Sequence, residues 1–282
     1  MKTMKTLKTI MILSGVLLLS LMLAEATLGD IQKRIIGGKT CGATERLYHT
    51  VIEYHKDIIV GKSRPAPLFV CGGSLISKQW VLTAAHCVPT DENIQSGWKL
   101  YVRLGAHPSG LNVVTLVEEQ NIHIFKEGID HDIMLLHLPV DSTVKDTTFA
   151  NPPDCSSTPV QGKTSKPSMG EVVQIAGYAA TAADHFLRKV SDKSSTLQCA
   201  DQNVKRYSDA SCLREHTFCA QKSGVDTCSG DSGGGVVYKD QLYGVIVSDD
   251  NNYACSATSY FMDVCEYKKW IWDTTGITSW EP

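Results

Sequence analysis

Short apolar runs separated by turn-forming residues recur along most of the chain. Within Lys99–Leu104, the apolar side chains of Leu100, Val102 and Leu104 alternate with more polar ones, the pattern of a strand with one buried face. Many short strands and few helical repeats are typical of an all-β sandwich or barrel. The other runs predicted as strands are Val51–Tyr54, Trp80–Thr83, Ile133–Leu138, Glu171–Ile175 and Gln241–Val247.

A helical period occurs near the C-terminus. Val264, Tyr267 and Ile271 follow one another at the spacing of one helix face, which predicts a helix over about residues 263–275. The stretch Asp141–Pro167 is rich in proline, serine and threonine, so it is the predicted connection between two halves of the molecule.

The first residues differ in character from the rest. Three lysines precede the apolar run Ile10–Leu23, and the small-x-small sequence Ala24-Glu25-Ala26 follows it. This order predicts a signal peptide over residues 1–26 and an exported, extracellular protein. A membrane anchor is the alternative, but a spanning helix needs about 20 apolar residues and this run has 14.

Composition and charge argue against nucleic-acid binding and against zinc or redox chemistry. The formal net charge of the 282 residues is −3, which offers no basic field for nucleic acid. In an exported chain, ten cysteines without a Cys-x-x-Cys pair indicate disulfides rather than zinc or redox chemistry. Ten cysteines allow about 945 pairings, so counting alone does not choose among them.

Three segments carry residues suited to hydrolysis of an amide. They are Trp80–Cys87, which contains His86; Asp132–Leu136; and Asp226–Gly234, which contains Ser232. Each alone has an ordinary explanation as a packed histidine, a strand edge or a turn. Together they supply a nucleophile, a base, a carboxylate to orient that base, and glycines whose backbone can direct N–H groups at an oxyanion.

These motifs, in the order His, Asp, Ser, resemble those of the chymotrypsin/trypsin family, the standard worked example of this triad. The resemblance covers essentially all of residues 35–282. It implies that His86 is the general base, Asp132 the orienting carboxylate and Ser232 the nucleophile, with an oxyanion hole formed by the N–H groups of Gly230 and Ser232. The resemblance also implies that no cofactor or metal ion takes part.

The implied fold consists of two antiparallel six-stranded barrels and a C-terminal helix. The N-terminal barrel covers about residues 35–150 and the C-terminal barrel about residues 160–262. The triad lies between them.

The start of the mature chain also resembles the family. Lys33-Arg34 precedes Ile35-Ile36-Gly37-Gly38, which resembles an activation sequence, so residues 27–34 are the expected propeptide. Cleavage after Arg34 would free the Ile35 ammonium to pair with Asp231, since a buried carboxylate is costly unless it is paired. An activating protease is therefore an expected partner, beside peptide or protein substrates and serpin- or Kunitz-type inhibitors.

The resemblance also implies a pairing for all ten cysteines. A sixth bridge of trypsin is absent, because Val173 and Tyr238 stand at both of its positions. The five implied bridges are Cys41–Cys199, Cys71–Cys87, Cys155–Cys265, Cys212–Cys219 and Cys228–Cys255.

The expected specificity pocket departs from the family. Asp226 stands where trypsin-like members carry the acid that attracts lysine or arginine side chains. Ser259 stands at the usual glycine of the opposite wall. After Ser248, Asp249 and Asp250 replace the usual Trp-Gly, which predicts an acidic rim that favours a second basic residue and weakens with salt.

Two further departures concern loops. Residues 56–67 form an expected enlarged loop, and Gly105-Ala106-His107 lacks the acidic ligand of the trypsin calcium loop, so no calcium site is expected. These changes leave an alternative to an active enzyme: a catalytically weak or silent homologue that acts as a secreted binding protein.

Overall fold

The computed structural model describes residues 35–56, 68–108, 113–128, 131–139, 144, 147–156, 166–179, 194–205, 212, 216–247 and 258–282. All of them belong to one compact unit, Lys33–Pro282. The predicted signal peptide and propeptide, most of the loop at 56–67 and much of the connection at 141–167 lie outside the described residues.

The described chain is mostly β-structure, with fourteen strands and two short α-helices. The strands are β1 (Lys39–Thr40), β2 (His49–Lys56), β3 (Leu68–Leu75), β4 (Trp80–Thr83), β5 (Trp98–Leu104), β6 (Val113–Leu116), β7 (Ile122–Ile124), β8 (Met134–His137), β9 (Val172–Gly177), β10 (Gln198–Val204), β11 (Thr217–Gln221), β12 (Gly235–Tyr238), β13 (Gln241–Ile246) and β14 (Ser259–Asp263). The helices are α1 (Asp91–Gln95) and α2 (Val264–Thr275).

The first sheet contains seven antiparallel strands in the order β6-β5-β2-β3-β4-β8-β7. The predicted alternation in β5 is confirmed, because Leu100, Val102 and Leu104 are buried in the core of this half. Thr83 at the end of β4 is opposite Met134 at the start of β8. That register places the residues that follow β4 beside those that precede β8.

The second sheet has the order β1-β10-β11-β14-β13-β12-β9. Strands β9 and β10 also pair with each other, from Gln198 opposite Gly177 to Asn203 opposite Val172. This pairing closes six strands into a barrel, with the two-residue β1 added at its side. The predicted all-β fold with a C-terminal helix is confirmed, and the second sheet closes into a six-stranded barrel as predicted. The first sheet, predicted as another six-stranded barrel, has seven strands, and among the described residues its end strands β6 and β7 do not pair, so it forms a half-barrel.

The C-terminal helix α2 has the boundaries that its caps require. The Asp263 side chain accepts a hydrogen bond from the Cys265 N–H, and Gly276 ends the helix at a φ of +66°. Its three periodic residues Val264, Tyr267 and Ile271 are buried, as predicted. No helix in the described part of the chain has the length and apolar character needed to cross a bilayer.

Disulfides join both distant and neighbouring segments of the chain, with sequence separations from 7 to 158 residues. The structure contains four of the five implied pairs: Cys41–Cys199, Cys71–Cys87, Cys155–Cys265 and Cys212–Cys219. The fifth pair, Cys228–Cys255, stays a prediction because Cys255 lies outside the described residues.

The two positions of the missing sixth bridge lie in neighbouring strands of the second sheet. Val173 in β9 and Tyr238 in β12 are both buried. The Tyr238 hydroxyl donates a hydrogen bond to the Glu171 carboxylate at 2.5 Å. A buried tyrosine and its hydrogen bond therefore occupy the place of the cross-link.

A histidine is buried in β2. The His49 side chain contacts the Tyr178 ring, and its Nε2 has no hydrogen-bond partner among the described residues. Burial, together with the nearby charges of His107 and Arg46, lowers the pKa of His49 to about 3. His49 is therefore neutral in the folded protein over the physiological range.

The buried histidine predicts an acid-sensitive stability. Below the ordinary histidine pKa of about 6.5 the unfolded chain binds a proton at His49 that the folded chain does not. Stability should therefore fall from about pH 6.5 down to pH 3, by about 3 kcal/mol or more for this residue. His49→Gln should flatten that slope in urea unfolding measured at several pH values. The exposed His216→Gln is the control, and an unchanged slope in His49→Gln would contradict the explanation.

Candidate active site

Strand pairing brings His86 and Asp132 together. His86 lies in a 3₁₀ turn, Ala85–Cys87, that begins two residues after the last residue of β4, and Asp132 lies two residues before β8. His86 Nδ1 is 2.6 Å from Asp132 Oδ2, and the His86 backbone N–H donates to Asp132 Oδ1 at 2.8 Å. The carboxylate therefore holds both the ring and the backbone of the histidine.

The position of His86 is further fixed by its neighbour Cys87, which is bonded to Cys71 in β3. The imidazole itself remains open to solvent, with 43% of its side chain exposed. A ligand atom of His86 lies within 4.8 Å of both sulfurs. Since those sulfurs are bonded to each other, the group is not a metal site.

The charge state of Asp132 suits an orienting carboxylate. Burial acts to raise its pKa, but the hydrogen bonds and charge of His86 outweigh burial, and the pKa lies below its ordinary value. Asp132 is therefore an anion at neutral pH, and it favours the tautomer of His86 that carries a proton on Nδ1.

Ser232 lies in a loop that packs against the segment before His86. Its carbonyl oxygen accepts a hydrogen bond from the Gly72 N–H at 2.8 Å and lies 4.0 Å from Cys87 Sγ. At Gly233, a Cβ atom would come within 2.2 Å of Thr83 Oγ1 and 2.3 Å of the Gly72 carbonyl oxygen. Only glycine allows this approach, so the loop that carries Ser232 packs directly on β3 and on the end of β4, the strand that precedes His86.

The same loop presents two backbone donors. Gly230 has a φ of +108°, a conformation that favours glycine. Within the described residues, the N–H groups of Gly230 and Ser232 have no hydrogen-bond acceptor. Both donors are therefore available to an oxygen atom of a bound molecule.

Asp231, between these two residues, points into the protein. It is fully buried, and its carboxylate accepts hydrogen bonds from the N–H groups of Ala179 at 3.0 Å and Cys228 at 2.9 Å. Ile35 is also fully buried, and the Ile36 carbonyl accepts from the Asp226 N–H at 3.0 Å. The first residues of the described chain thus lie in the same half of the molecule as this loop.

The predicted pocket residues are described in part. Asp226 and Ser259 are both fully buried, and the Ser259 hydroxyl lies 3.4 Å from that of Thr227. Ser248, Asp249 and Asp250 lie outside the described residues, as does Arg34. The acidic rim therefore stays a prediction.

The sequence analysis did not identify Gln202, a buried polar residue that contacts Ser259 of the predicted pocket. The Gln202 amide donates to Ser259 Oγ at 2.9 Å from within the closed barrel. Nothing in the local sequence indicates this contact, because the two residues are 57 positions apart and lie on different strands.

The family model for trypsin matches residues 35–271, most of the chain. The chain therefore belongs to the trypsin family of serine proteases.

Curated relatives and a solved structure agree with this assignment. Cationic trypsin-3 of Rattus norvegicus is 30% identical over 274 residues, 88% of this chain and 92% of the relative. Trypsin-3 of Salmo salar is 29% identical, over 88% of this chain and 96% of the relative. A thrombin-like enzyme of Gloydius ussuriensis, CPI-enzyme 2, is 28% identical over 93% of both chains.

A structure of neuropsin, a serine protease expressed in the limbic system of mouse brain, superimposes with a TM-score of 0.64. It covers 84% of this chain and 98% of the neuropsin chain at 23% identity, so it supports the fold.

Proposed function

We propose that this protein is a secreted serine endopeptidase that cleaves peptide bonds through an acyl-enzyme on Ser232. The observation that carries the proposal is the 2.6 Å hydrogen bond between His86 Nδ1 and Asp132 Oδ2. Because Nδ1 is held by the carboxylate, Nε2 on the other side of the ring is the nitrogen that can take a proton from a nucleophile.

In the proposed reaction, Ser232 Oγ attacks the substrate carbonyl carbon while its proton passes to His86 Nε2. The tetrahedral intermediate then expels the amine, which takes that proton, and the acyl group remains on Ser232. Water attacks the acyl-enzyme in the same way and releases the acid. Asp132 stays ionised throughout and stabilises the imidazolium that forms in each half-reaction.

The N–H groups of Gly230 and Ser232 are the proposed donors to the oxyanion. Donors already oriented in the free protein stabilise the developing charge without reorganisation, and the loss of one typically lowers kcat by about 10²- to 10³-fold. The buried Asp231 carboxylate, bonded to Ala179 and Cys228, supports the proposal that it holds this loop in place.

We also propose that the chain is exported and made as a precursor. The signal-like residues 1–26 support export, and the four disulfides are consistent with an oxidising compartment. Cleavage after Arg34 by an activating protease would produce the Ile35 amino terminus. Protein inhibitors of the serpin or Kunitz type are the proposed regulators of the active form.

For specificity, we propose cleavage after arginine or lysine. The fully buried Asp226 carboxylate supports a pocket for a cationic side chain. A hydrogen bond to a charged group typically contributes about 1.5–3 kcal/mol, whereas one added hydroxyl on the wall, such as that of Ser259, discriminates by about 1–3 kcal/mol. An apolar substrate side chain would offer the Asp226 carboxylate no partner. We therefore expect the charge of Asp226 to influence substrate choice more strongly than the shape of the pocket wall at Ser259.

The specificity is tested with peptides that end in Ala-Arg or Ala-Phe before the scissile bond. The activated protein should cleave the Ala-Arg peptide with a kcat/KM about 10- to 100-fold higher, because a guanidinium can pair with the buried carboxylate and a phenyl ring cannot. Asp226→Ser should remove most of that preference. Asp273→Ser on the exposed face of α2 is the matched control and should leave the preference unchanged.

Preference for Ala-Phe by the unaltered protein would contradict the role of Asp226. Binding of peptides without turnover by the activated protein would instead favour the silent homologue.

A further inference from the structure

Two histidines from different halves of the molecule lie side by side. His131 lies just before Asp132, in the segment that leads to β8 of the first sheet, and His216 immediately precedes β11 of the second sheet. Their ring centroids are 4.7 Å apart, with an angle of 39° between the ring planes. Two protonated imidazoles this close would repel each other, whereas two neutral ones can bind the same metal ion.

The His131 ring is held through one of its nitrogens. Its Nδ1 lies 2.8 Å from the hydroxyl of Tyr267 in α2. Burial raises the pKa of that hydroxyl, so it keeps its proton at neutral pH and can accept a hydrogen bond from Nδ1–H. A histidine that donates Nδ1–H in this way presents Nε2 as a metal ligand. Gly128 leaves room there, because a Cβ atom at this position would come within 3.4 Å of Nε2.

His216 and Glu266 supply two further donor groups. His216 Nδ1 is 3.9 Å from Glu266 Oε2, in the first turn of α2. Two ligand atoms on one tetrahedral zinc ion lie about 3.3 Å apart, given Zn–N distances of about 2.0–2.1 Å. The other carboxylate oxygen, Oε1, contacts Lys166 Nζ at 3.3 Å, and Oε2 lies on the side of the histidine.

Acidic groups surround these histidines. Burial is the largest cause of the raised pKa of Tyr267. The carboxylates of Glu266, Asp263 and Asp132 raise this pKa further, so all three lie close enough to act on the hydroxyl. Lys166 contacts Asp263 at 3.2 Å and Glu266 at 3.3 Å, and it offsets part of this negative charge. The charge that remains favours a cation over an anion.

The three donor groups form one patch, but they do not yet converge on one point. In the described part of the chain, the ligand atoms of His131, His216 and Glu266 are not all within 4.8 Å of one another. The His216 side chain is 38% exposed and that of Glu266 is 44% exposed. Rotation of these two exposed side chains would therefore complete the site.

We infer that His131, His216 and Glu266 bind one divalent transition-metal ion, for which Zn²⁺ is the probe, and that this ion joins the two halves of the molecule. Two imidazoles and one carboxylate are a familiar ligand set for zinc, and a water molecule occupies the fourth position. The hard cations Ca²⁺ and Mg²⁺ prefer oxygen ligands, so the imidazoles select against them. The ion takes no part in the proposed reaction, and the inference does not rest on the proposed function.

The test is calorimetric titration of Zn²⁺ alone into the purified protein, made without a histidine tag, and into its His86→Ala variant. One zinc ion should bind per chain with the same affinity in both, because His86 is not a ligand. The unfolded chain does not hold the three groups together, so bound zinc should stabilise the folded state. At 100 times the Kd, zinc should raise the thermal midpoint by about 5–10 °C, and Ca²⁺ should not.

Two variants remove one ligand each. His131→Asn keeps a side-chain amide that can bond to Tyr267 but lacks Nε2, and His216→Asn suits the φ of +57° at that position. Loss of an outer partner of a ligand already weakens metal binding by about 10- to 100-fold, so each variant should bind zinc at least about 10-fold more weakly. The matched control is His123→Asn in β7, whose ring contacts Trp80 instead, and its zinc affinity should not change.

Several outcomes would overturn the inference. They are absence of zinc binding by the unaltered protein, unchanged affinity in both His131→Asn and His216→Asn, and loss of binding in His86→Ala, which would place the ion at the proposed active site. If a histidine variant does not fold, Tyr267→Phe serves instead, because it keeps the ring and removes the partner of Nδ1. Its zinc affinity should fall by about 10-fold or more, and an unchanged affinity would overturn the inference equally. None of these outcomes bears on peptide cleavage, which is tested separately.

Discussion

Replacing Ser232 with alanine will lower kcat of the activated protein by at least about 10³-fold and abolish its covalent labelling by a fluorophosphonate. The nucleophile, the base and the orienting carboxylate act as a unit, so removal of one leaves only the contribution of binding and of the oxyanion donors. His86→Ala should have an effect of the same order. The measurements are steady-state turnover of a peptide amide and labelling detected by mass spectrometry.

The matched control is Ser229→Ala, an exposed serine three residues earlier in the same loop. It should retain both turnover and labelling. The double variant Ser232→Ala/His86→Ala should be little worse than either single variant, because the effects of a catalytic unit are not additive. Wild-type turnover in Ser232→Ala would show that the activity belongs to another site or another protein.

The second large effect concerns activation. The precursor should have little activity, and cleavage after Arg34 should raise kcat/KM by orders of magnitude. Arg34→Gln should block this increase when a trypsin-like activator is added, because the activator loses its basic recognition residue. The measurement is peptide turnover before and after treatment, with N-terminal sequencing to locate the cut.

The Asp231→Asn variant distinguishes cleavage after Arg34 from the activation that follows this cleavage. This variant should be cut normally after Arg34 and remain nearly inactive, because the Ile35 ammonium then lacks a charged partner at a fully buried position. Asp240→Asn, at an exposed turn between β12 and β13, is the control and should activate normally. Full activity in Asp231→Asn, or in the uncut Arg34→Gln precursor, would contradict this mechanism.

The regular elements with a clear period could be predicted from the sequence. Trp80–Thr83 is a strand with the predicted bounds, and α2 buries the three residues that its period indicated. The observed boundaries of the other strands differ from the predicted ones by a few residues. The run predicted at Glu171–Ile175 is the strand Val172–Gly177, because pairing with β10 extends the strand to Gly177 opposite Gln198.

The polar interior could not be predicted in the same way. Strand β10, with the sequence QCADQNV, has glutamines at two buried positions, and its pattern resembles that of an exposed strand. Gln202 is buried because closure of the barrel encloses it, and its contact with Ser259 depends on the order of strands. The burial of His49 in β2 could not be predicted from the sequence either, because it depends on the packing of the distant Tyr178 ring against the imidazole.

The Cys41–Cys199 bridge determines what proteolysis does to the molecule. The two cysteines are 158 residues apart, and no cysteine precedes Cys41. A single cut anywhere between them leaves two fragments that stay covalently joined, so damage to a surface loop in that region releases no fragment. A cut after Arg34 lies outside this ring, and the excised segment diffuses away. A cut inside this ring therefore leaves all parts of the chain in one covalent molecule, whereas the proposed cut after Arg34 would remove a part of it permanently.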